Sequence, residues 1–313
     1  MKPEGTQIMS NSFIAIILAG GIRPAPLSNA LGTPVLCLPV AHETTLLSAW
    51  LHRLTNIGSC RSVYVVVSSE TDADAIRAVA QGIVDDGQTS CAPQVMVEPH
   101  RWRGTAGAVR DVAATVLSDD ALVVVEAAVV PPSRAGRVLD TVSASAGAAI
   151  GIDTDSSPAG VYAFRPAVLE AIPSIGFYDI KEQLVPSLHV LGSAARVVTV
   201  TDRVVRIRDR TGYLAAVADF TEITHMSTTD AGSYPRVDPS ASVVGHCIID
   251  PSVVVERDVL VDSSVVLDDV VVRAGATISR SVIGSGVEIE PGALIVDGVK
   301  GTQLAAASPV AVP

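Results

Sequence analysis

From Val237 onward the sequence repeats with a period of six, and this repeat restricts the possible folds more than any other feature. The first hexads read Val-Asp-Pro-Ser-Ala-Ser, Val-Val-Gly-His-Cys-Ile and Ile-Asp-Pro-Ser-Val-Val. The fifth position is small or aliphatic throughout: Ala241, Cys247, Val253, Val259, Val265, Val271, Thr277, Ile283, Ile289 and Ile295. Such a repeat is typical of a parallel β-helix, whereas two antiparallel hairpins would repeat in twos. We therefore predict a β-helix of about three coils with inward fifth positions.

Before the repeat, short apolar runs alternate with segments of helical periodicity. The predicted strands lie at 14–19, 62–67, 93–97 and 121–125, and the predicted helices between them at 44–56, 73–84 and 106–117. This alternation forms βαβ units around a mostly parallel sheet. We therefore predict a Rossmann-like α/β domain over 1–225, a linker at 226–236, the β-helix over 237–300 and a C-terminal tail at 301–313.

The first predicted strand ends in Leu18-Ala19-Gly20-Gly21. Glycine permits positive φ and lets backbone N–H groups approach an anion. A tight βα turn without a ligand would have the same sequence, so the glycines alone leave both interpretations open.

Charge and composition restrict the partners of the chain. Its 313 residues carry a formal net charge of -11 and 4% aromatic residues, which argues against a nucleic-acid surface, since such a surface needs basic patches and stacking rings. The apolar run at 14–21 is too short to cross a membrane. The four cysteines are widely spaced in the sequence, so we expect them to be reduced thiols in a cytoplasmic protein. Small molecules and other subunits are the expected partners, and a neighbouring domain or subunit is expected to cover the ends of so short a solenoid.

Four motifs precede the repeat. They are Leu18-Ala19-Gly20-Gly21 with Pro26-Leu27-Ser28, Thr33-Pro34 with Leu38-Pro39-Val40, Glu98-Pro99 with Gly104-Thr105-Ala106-Gly107-Ala108, and Gly160-Val161-Tyr162-Ala163-Phe164. Together with the hexads they resemble the sugar-phosphate nucleotidyltransferases, notably the mannose-1-phosphate guanylyltransferase and glucose-1-phosphate nucleotidyltransferase group. The resemblance implies a left-handed β-helix that mediates assembly. It also implies a nucleotide site and a sugar site. The implied nucleotide site consists of Leu18, Ala19, Gly20, Gly21, Glu98, Gly104, Thr105 and Ala106. The implied sugar site consists of Gly160 and Val161.

The catalytic positions of that family are substituted in this chain. Nucleotidyl transfer brings charged phosphates together and depends on Mg²⁺ and basic side chains. Val35 stands where the family has a lysine, and residues 153–158 lack the basic residue expected shortly before Gly160. Ala128 and Arg206 occupy the positions of the two metal-binding aspartates. Arg23 and Glu126 are the remaining candidates for catalytic groups. No cofactor is therefore expected, and Mg²⁺ only if the chain is active.

Two clusters of basic residues have alternative explanations. His100-Arg101-Trp102-Arg103 would contact a nucleotide or phosphate, or would form a solvated loop with a packed Trp102. Arg206, Arg208 and Arg210 share one face of a predicted strand, where they would bind an anion or protect a sheet edge.

The leading hypothesis is a protein that binds a nucleotide or nucleotide sugar without Mg²⁺-dependent transfer, in a regulatory or scaffolding role. Its partners would be further copies of the chain or an active homologue. One alternative is a working pyrophosphorylase, which would join a nucleoside triphosphate to a sugar 1-phosphate using Arg23 and Glu126. The other is a purely structural assembly subunit. The sequence leaves open whether the chain is an enzyme, and which base and sugar it would bind.

Overall fold

A computed structural model of the chain describes residues 12–21, 25–89, 91–100, 102–116, 118–144, 147–190, 195–224 and 236–301. Arg23 lies outside the described residues, as do the predicted linker 226–236 apart from its last residue and the predicted tail 301–313 apart from its first. The chain divides into two compact units. The first unit comprises Met1–Arg23 and Leu47–Val204, and the second comprises Pro24–Leu46 and Val205–Pro313.

Helices and strands alternate up to residue 224. In chain order they are β1 (Ser12–Leu18), α1 (Pro26–Leu31), β2 (Pro39–Ala41), β3 (Thr44–Thr45), α2 (Leu46–Thr55), β4 (Ser59–Val67), α3 (Glu70–Asp85), β5 (Gln94–Val97), α4 (Gly104–Val116), β6 (Ala121–Glu126), α5 (Gly136–Ala144), β7 (Ala148–Ile152), β8 (Pro158–Phe164), α6 (Val185–Val190), β9 (Ala195–Thr199) and α7 (Arg210–Thr224). Short 3₁₀ helices lie at Val35–Cys37 and Pro166–Ala171, and a π-helix lies at Ile180–Leu184. Among the described residues, the helices are too short or too polar to cross a membrane.

The first unit is built around a seven-stranded sheet with the order β5-β4-β1-β6-β8-β7-β9. The apolar residues 13–17 of β1 are buried, and β1 pairs in parallel with both β4 and β6. β5 continues the parallel part beside β4, whereas β8 runs antiparallel to β6 and β7. The predicted α/β architecture with a mostly parallel sheet is therefore confirmed.

The second unit combines the β-helix with two segments that precede it in the sequence. Its strands β10 to β20 are Ser242–Val244, Ile248–Ile249, Val254–Val255, Leu260–Asp262, Val265–Val266, Val271–Val272, Thr277–Ser279, Val282–Ile283, Glu288–Ile289, Leu294–Val296 and Val299–Lys300. They form three parallel sheets, with the orders β10-β13-β16-β19, β11-β14-β17-β20 and β12-β15-β18. The predicted parallel β-helix is thus confirmed.

Helix α1, strand β2 and helix α7 pack beside the sheet that contains β11 and β20. Contacts join α1 to β20, β2 to β11, and α7 to β2. The Tyr213 hydroxyl donates a hydrogen bond to the Pro39 carbonyl at 2.6 Å, and complete burial raises the pKa of Tyr213. The motifs at 26–28 and 33–40 therefore pack with the β-helix, although they lie near Gly20-Gly21 in the sequence.

The coils of the β-helix depart from a strict six-residue period. Paired positions such as Leu260 and Thr277 are 17 residues apart, whereas Ser242 and Leu260 are 18 apart. One corner of each shorter coil consists of a single left-handed residue, at Ser263, Arg280 and Asp297 with φ of 46°, 45° and 53°. The prediction of inward fifth positions is consequently wrong at Val265, Val271 and Thr277. Val265 is buried outside the cluster that fills the β-helix, and Val271 and Thr277 are partly exposed. Their neighbours are fully buried instead, namely Val270, Val272 and Ala276.

Buried serines stabilise the same corner from inside. The Ser281 N–H donates to Ser264 Oγ at 3.0 Å, and the Gly298 N–H donates to Ser281 Oγ at 3.0 Å. Each hydroxyl also donates to a carbonyl at 2.7 Å, Ser264 to Asp262 and Ser281 to Ser279. Both serines are fully buried, so these bonds satisfy backbone groups that water does not reach.

We expect Ser281→Ala to destabilise the protein by about 1–3 kcal/mol, because it leaves the partly buried Gly298 N–H without its acceptor. The measurement is the free energy of unfolding from chemical denaturation. Ser242→Ala, at an exposed position of β10, is the control and should change stability by less than about 0.5 kcal/mol. Equal stability of the two variants would contradict a stabilising role for the serine column.

Candidate functional site

The parallel strands of the first unit bring three polar side chains to one edge of the sheet, beside Gly20-Gly21. Leu18 at the end of β1 pairs with Val66 of β4 and with Glu126 at the end of β6. Ser68 follows β4, and Glu98 follows β5 directly. Gly20-Gly21 therefore lies among polar side chains at the carboxyl ends of the strands, where α/β sheets bind ligands.

Gly20 is needed for space at this edge. A methyl group at Gly20 would lie 2.8 Å from Glu98 Oε1 and 3.1 Å from Ser68 Oγ. Ser68 Oγ accepts the Gly21 N–H at 2.9 Å and donates to the Gly21 carbonyl at 3.2 Å. The serine thus holds the turn after β1 in place and uses one N–H group that was predicted to face an anion.

Glu98 brings an acidic group close to the glycine turn. Its N–H donates to the Val67 carbonyl at 2.9 Å, which continues the β4–β5 ladder to the edge of the site. Burial raises the pKa of the Glu98 carboxyl, and the negative charge of Asp111 raises it further. Glu98 can accept hydrogen bonds from a ligand when ionised and can donate one when protonated.

Glu126 is held by a lysine that the sequence analysis did not identify. Lys181 Nζ lies 2.7 Å from Glu126 Oε1, and the Tyr162 hydroxyl donates to the same oxygen at 2.9 Å. Gly160, with φ of 66°, leaves room for this carboxylate, since a methyl group there would lie 3.2 Å from Glu126 Cβ and 2.9 Å from Val129 Cγ2. Gly160 therefore lies beside Glu126, and Val161 is fully buried.

Lys181 is positioned by the residues before it. Asp179 precedes the π-helix, and its carboxylate accepts the N–H groups of Lys181 at 2.7 Å and Glu182 at 3.1 Å. Thr105 Oγ1 donates to Asp179 Oδ2 and accepts the Ile180 N–H, both at 2.9 Å. A sequence signal existed in Asp179, a typical N-cap residue, but the proximity of Lys181 to Glu126 depends on long-range packing.

The predicted second nucleotide loop also makes contacts within the protein. Gly104 has φ of 71°, and a methyl group there would lie 2.6 Å from the Tyr178 carbonyl oxygen. That oxygen accepts the N–H groups of Ala106 at 3.0 Å and Gly107 at 3.2 Å. The start of α4 is therefore capped by a carbonyl, and a nucleotide contact by Gly104, Thr105 and Ala106 stays a prediction.

The basic cluster before this loop differs from the interpretation as a solvated loop with a packed Trp102, and its contact with a nucleotide or phosphate stays a prediction. Arg103 is 4% exposed and forms a two-bond ion pair with Asp111 at 3.1 and 3.2 Å. It also donates to the carbonyls of Gly176 at 2.7 Å and Pro173 at 3.0 Å. Trp102 is 63% exposed, so the expectation of a packed Trp102 is wrong. Arg103 fixes the loop at 173–176, and Arg101 lies outside the described residues.

The residues present do not fit a Mg²⁺ site. Ala128 lies in the turn after β6 and has no ligand oxygen in its side chain, and the Arg206 side chain is a cation that cannot ligate a metal ion. The carboxylate nearest the expected position, Glu126, is paired with Lys181. Within the described ranges, no three His, Cys, Asp or Glu residues form a group that could hold a metal ion.

Comparison with known proteins provides one match. Residues 237–303 match the family described as GlmU-like, C-terminal hexapeptide. No curated protein matches the chain significantly. The match covers the β-helix and does not extend to the α/β unit.

The raised pKa of Glu98 predicts a pH-dependent effect of Glu98→Gln. The folded state binds this proton more tightly than the unfolded state, so the wild type loses stability as pH rises above the ordinary value of 4.5. The variant does not ionise there. We therefore expect it to be more stable than the wild type near neutral pH, with a difference that shrinks toward about pH 4.

The measurement is the melting temperature of both proteins across this pH range. Glu290→Gln, which removes an exposed carboxylate from the second unit, controls for the lower net charge. A pH dependence equal to that of this control would contradict the raised pKa of Glu98.

Proposed function

We propose that this protein binds a nucleotide or nucleotide sugar at the carboxyl edge of its sheet and does not carry out Mg²⁺-dependent nucleotidyl transfer. Its role would be regulatory or scaffolding, through further copies of the chain or an active homologue. The match of residues 237–303 supports the general type of protein. The finer assignment depends on the side chains at the site.

The pairing of Glu126 with Lys181 is the observation that carries this proposal. Transfer between two phosphates needs cations that neutralise the developing charge, and oxygen ligands normally hold Mg²⁺ there. In this chain an alanine occupies one expected aspartate position, and the neighbouring carboxylate already has an ammonium partner at 2.7 Å. This arrangement favours binding of a ligand over metal-assisted chemistry.

The groups around Gly20 support a ligand with hydroxyl and N–H groups. Glu98 and Ser68 both approach Gly20, where a side chain is absent. A carboxylate and a hydroxyl accept hydrogen bonds from sugar hydroxyls or from the N–H groups of a base. A nucleotide sugar carries all of these groups, whereas inorganic phosphate has neither sugar hydroxyls nor the N–H groups of a base.

The direct test combines binding with turnover. We expect a panel of nucleotide sugars to include a ligand that raises the melting temperature, because binding to the folded state alone stabilises it. With each nucleoside triphosphate, Mg²⁺ and mannose 1-phosphate or glucose 1-phosphate, no pyrophosphate release above background is expected. Robust turnover would instead favour the active pyrophosphorylase. Absence of any thermal shift would favour the purely structural subunit.

A pair of glycine variants tests where the ligand binds. Gly20→Ala places a methyl group 2.8 Å from Glu98 Oε1 and should abolish most of the ligand-induced shift. Gly82→Ala is the matched control, because nothing lies within 4 Å of the new methyl group and alanine favours the helix at α3. It should keep the full shift. A normal shift in Gly20→Ala would place the ligand elsewhere.

A further inference from the structure

The ion pair at the end of β6 has the features of an anion subsite. Lys181 has a side chain that is 41% exposed, and Glu126 is 21% exposed. An ammonium group has three donors, and Glu126 Oε1 takes one of them. The remaining donors can reach a ligand from solvent. We infer that Lys181 binds a phosphate group of the ligand. The identification of that ligand as a nucleotide sugar rests on the proposed function.

The base of the Lys181 side chain is held in a fixed position. Its N–H is bound by the Asp179 carboxylate, which in turn accepts a hydrogen bond from Thr105 on α4. The residue lies in the π-helix at Ile180–Leu184, and π-helical turns are frequent at functional sites.

Glu126 keeps a hydrogen bond when Lys181 turns toward an anion. The Tyr162 hydroxyl donates to the same carboxylate oxygen at 2.9 Å, and Tyr162 itself is almost completely buried. The carboxylate therefore has a fixed donor that does not depend on the lysine. In the absence of ligand, Glu126 holds the ammonium at the site and competes with the phosphate for it.

The position relative to the glycine turn fits one ligand with two binding regions. Glu126 pairs across the sheet with Leu18, two residues before Gly20. Glu98 and Ser68 lie over Gly20, while Lys181 lies over the end of β6. Hydroxyl or N–H groups would bind near the glycines, and a phosphate would bind at Lys181. The group that Lys181 would bind, a phosphate, occurs both in free sugar phosphates and in the diphosphate of a nucleotide sugar.

The test uses inorganic phosphate, pyrophosphate and glucose 1-phosphate as probes, with binding followed by ³¹P NMR at constant ionic strength. Lys181→Gln should lower the affinity for at least one probe by about tenfold or more, whereas Lys181→Arg should stay within about threefold. Glu126→Gln should tighten binding, because it removes the competing charge. Lys300→Gln, an exposed lysine of the second unit, is the matched control and should bind as the wild type does.

The outcomes separate this inference from the proposed function. Unchanged probe affinity in Lys181→Gln, or no binding of any probe by the wild type, would overturn the phosphate role of Lys181. If the probes need Lys181 but no nucleotide sugar binds, the inference stands and the nucleotide-sugar function fails. If a nucleotide sugar binds equally well to Lys181→Gln, the function stands and the inference fails. Circular dichroism of each variant checks that it is folded.

Discussion

Parallel pairing of the buried strand β1 with both β4 and β6 is the constraint on which the candidate site depends. The side chains of residues 13–17 are removed from water, so the strand has one stable register against its neighbours. That register brings Gly20, Ser68 and Glu126 to the same edge of the sheet. A site assembled in this way uses single polar residues from separate strands, each placed by an apolar run before it.

Two of the polar side chains at this edge, Ser68 and Glu126, are already paired within the protein. Ser68 binds the backbone of Gly21, and Lys181 neutralises Glu126. The structure thereby keeps acidic groups at a site where the resemblance of the sequence motifs to sugar-phosphate nucleotidyltransferases implies phosphate ligands. Internal pairing reduces the cost of carrying these charges without a bound cation, and it leaves exchangeable contacts for a ligand.

Prediction from the sequence succeeded where local periodicity decides the structure. The apolar run before Gly20 and the hexads after Val237 each specify their own elements, since period two, period 3.6 and period six bury different residues. It failed at Val265, Val271 and Thr277, because one left-handed residue at each corner shortens the coil. It also missed Lys181 and assigned Arg103 to a surface cluster, although buried Arg103 pairs with Asp111. These contacts join residues whose spacing in the sequence does not follow the periodicity of a strand, a helix or the hexads.

The sequence by itself determined an α/β region followed by a parallel β-helix. Only the tertiary structure decided that residues 25–46 pack with the β-helix and that Glu126 faces Lys181. The physical reason is the range of the interactions. Apolar periodicity acts within each element, whereas an ion pair between β6 and a helix more than fifty residues later depends on how those elements pack.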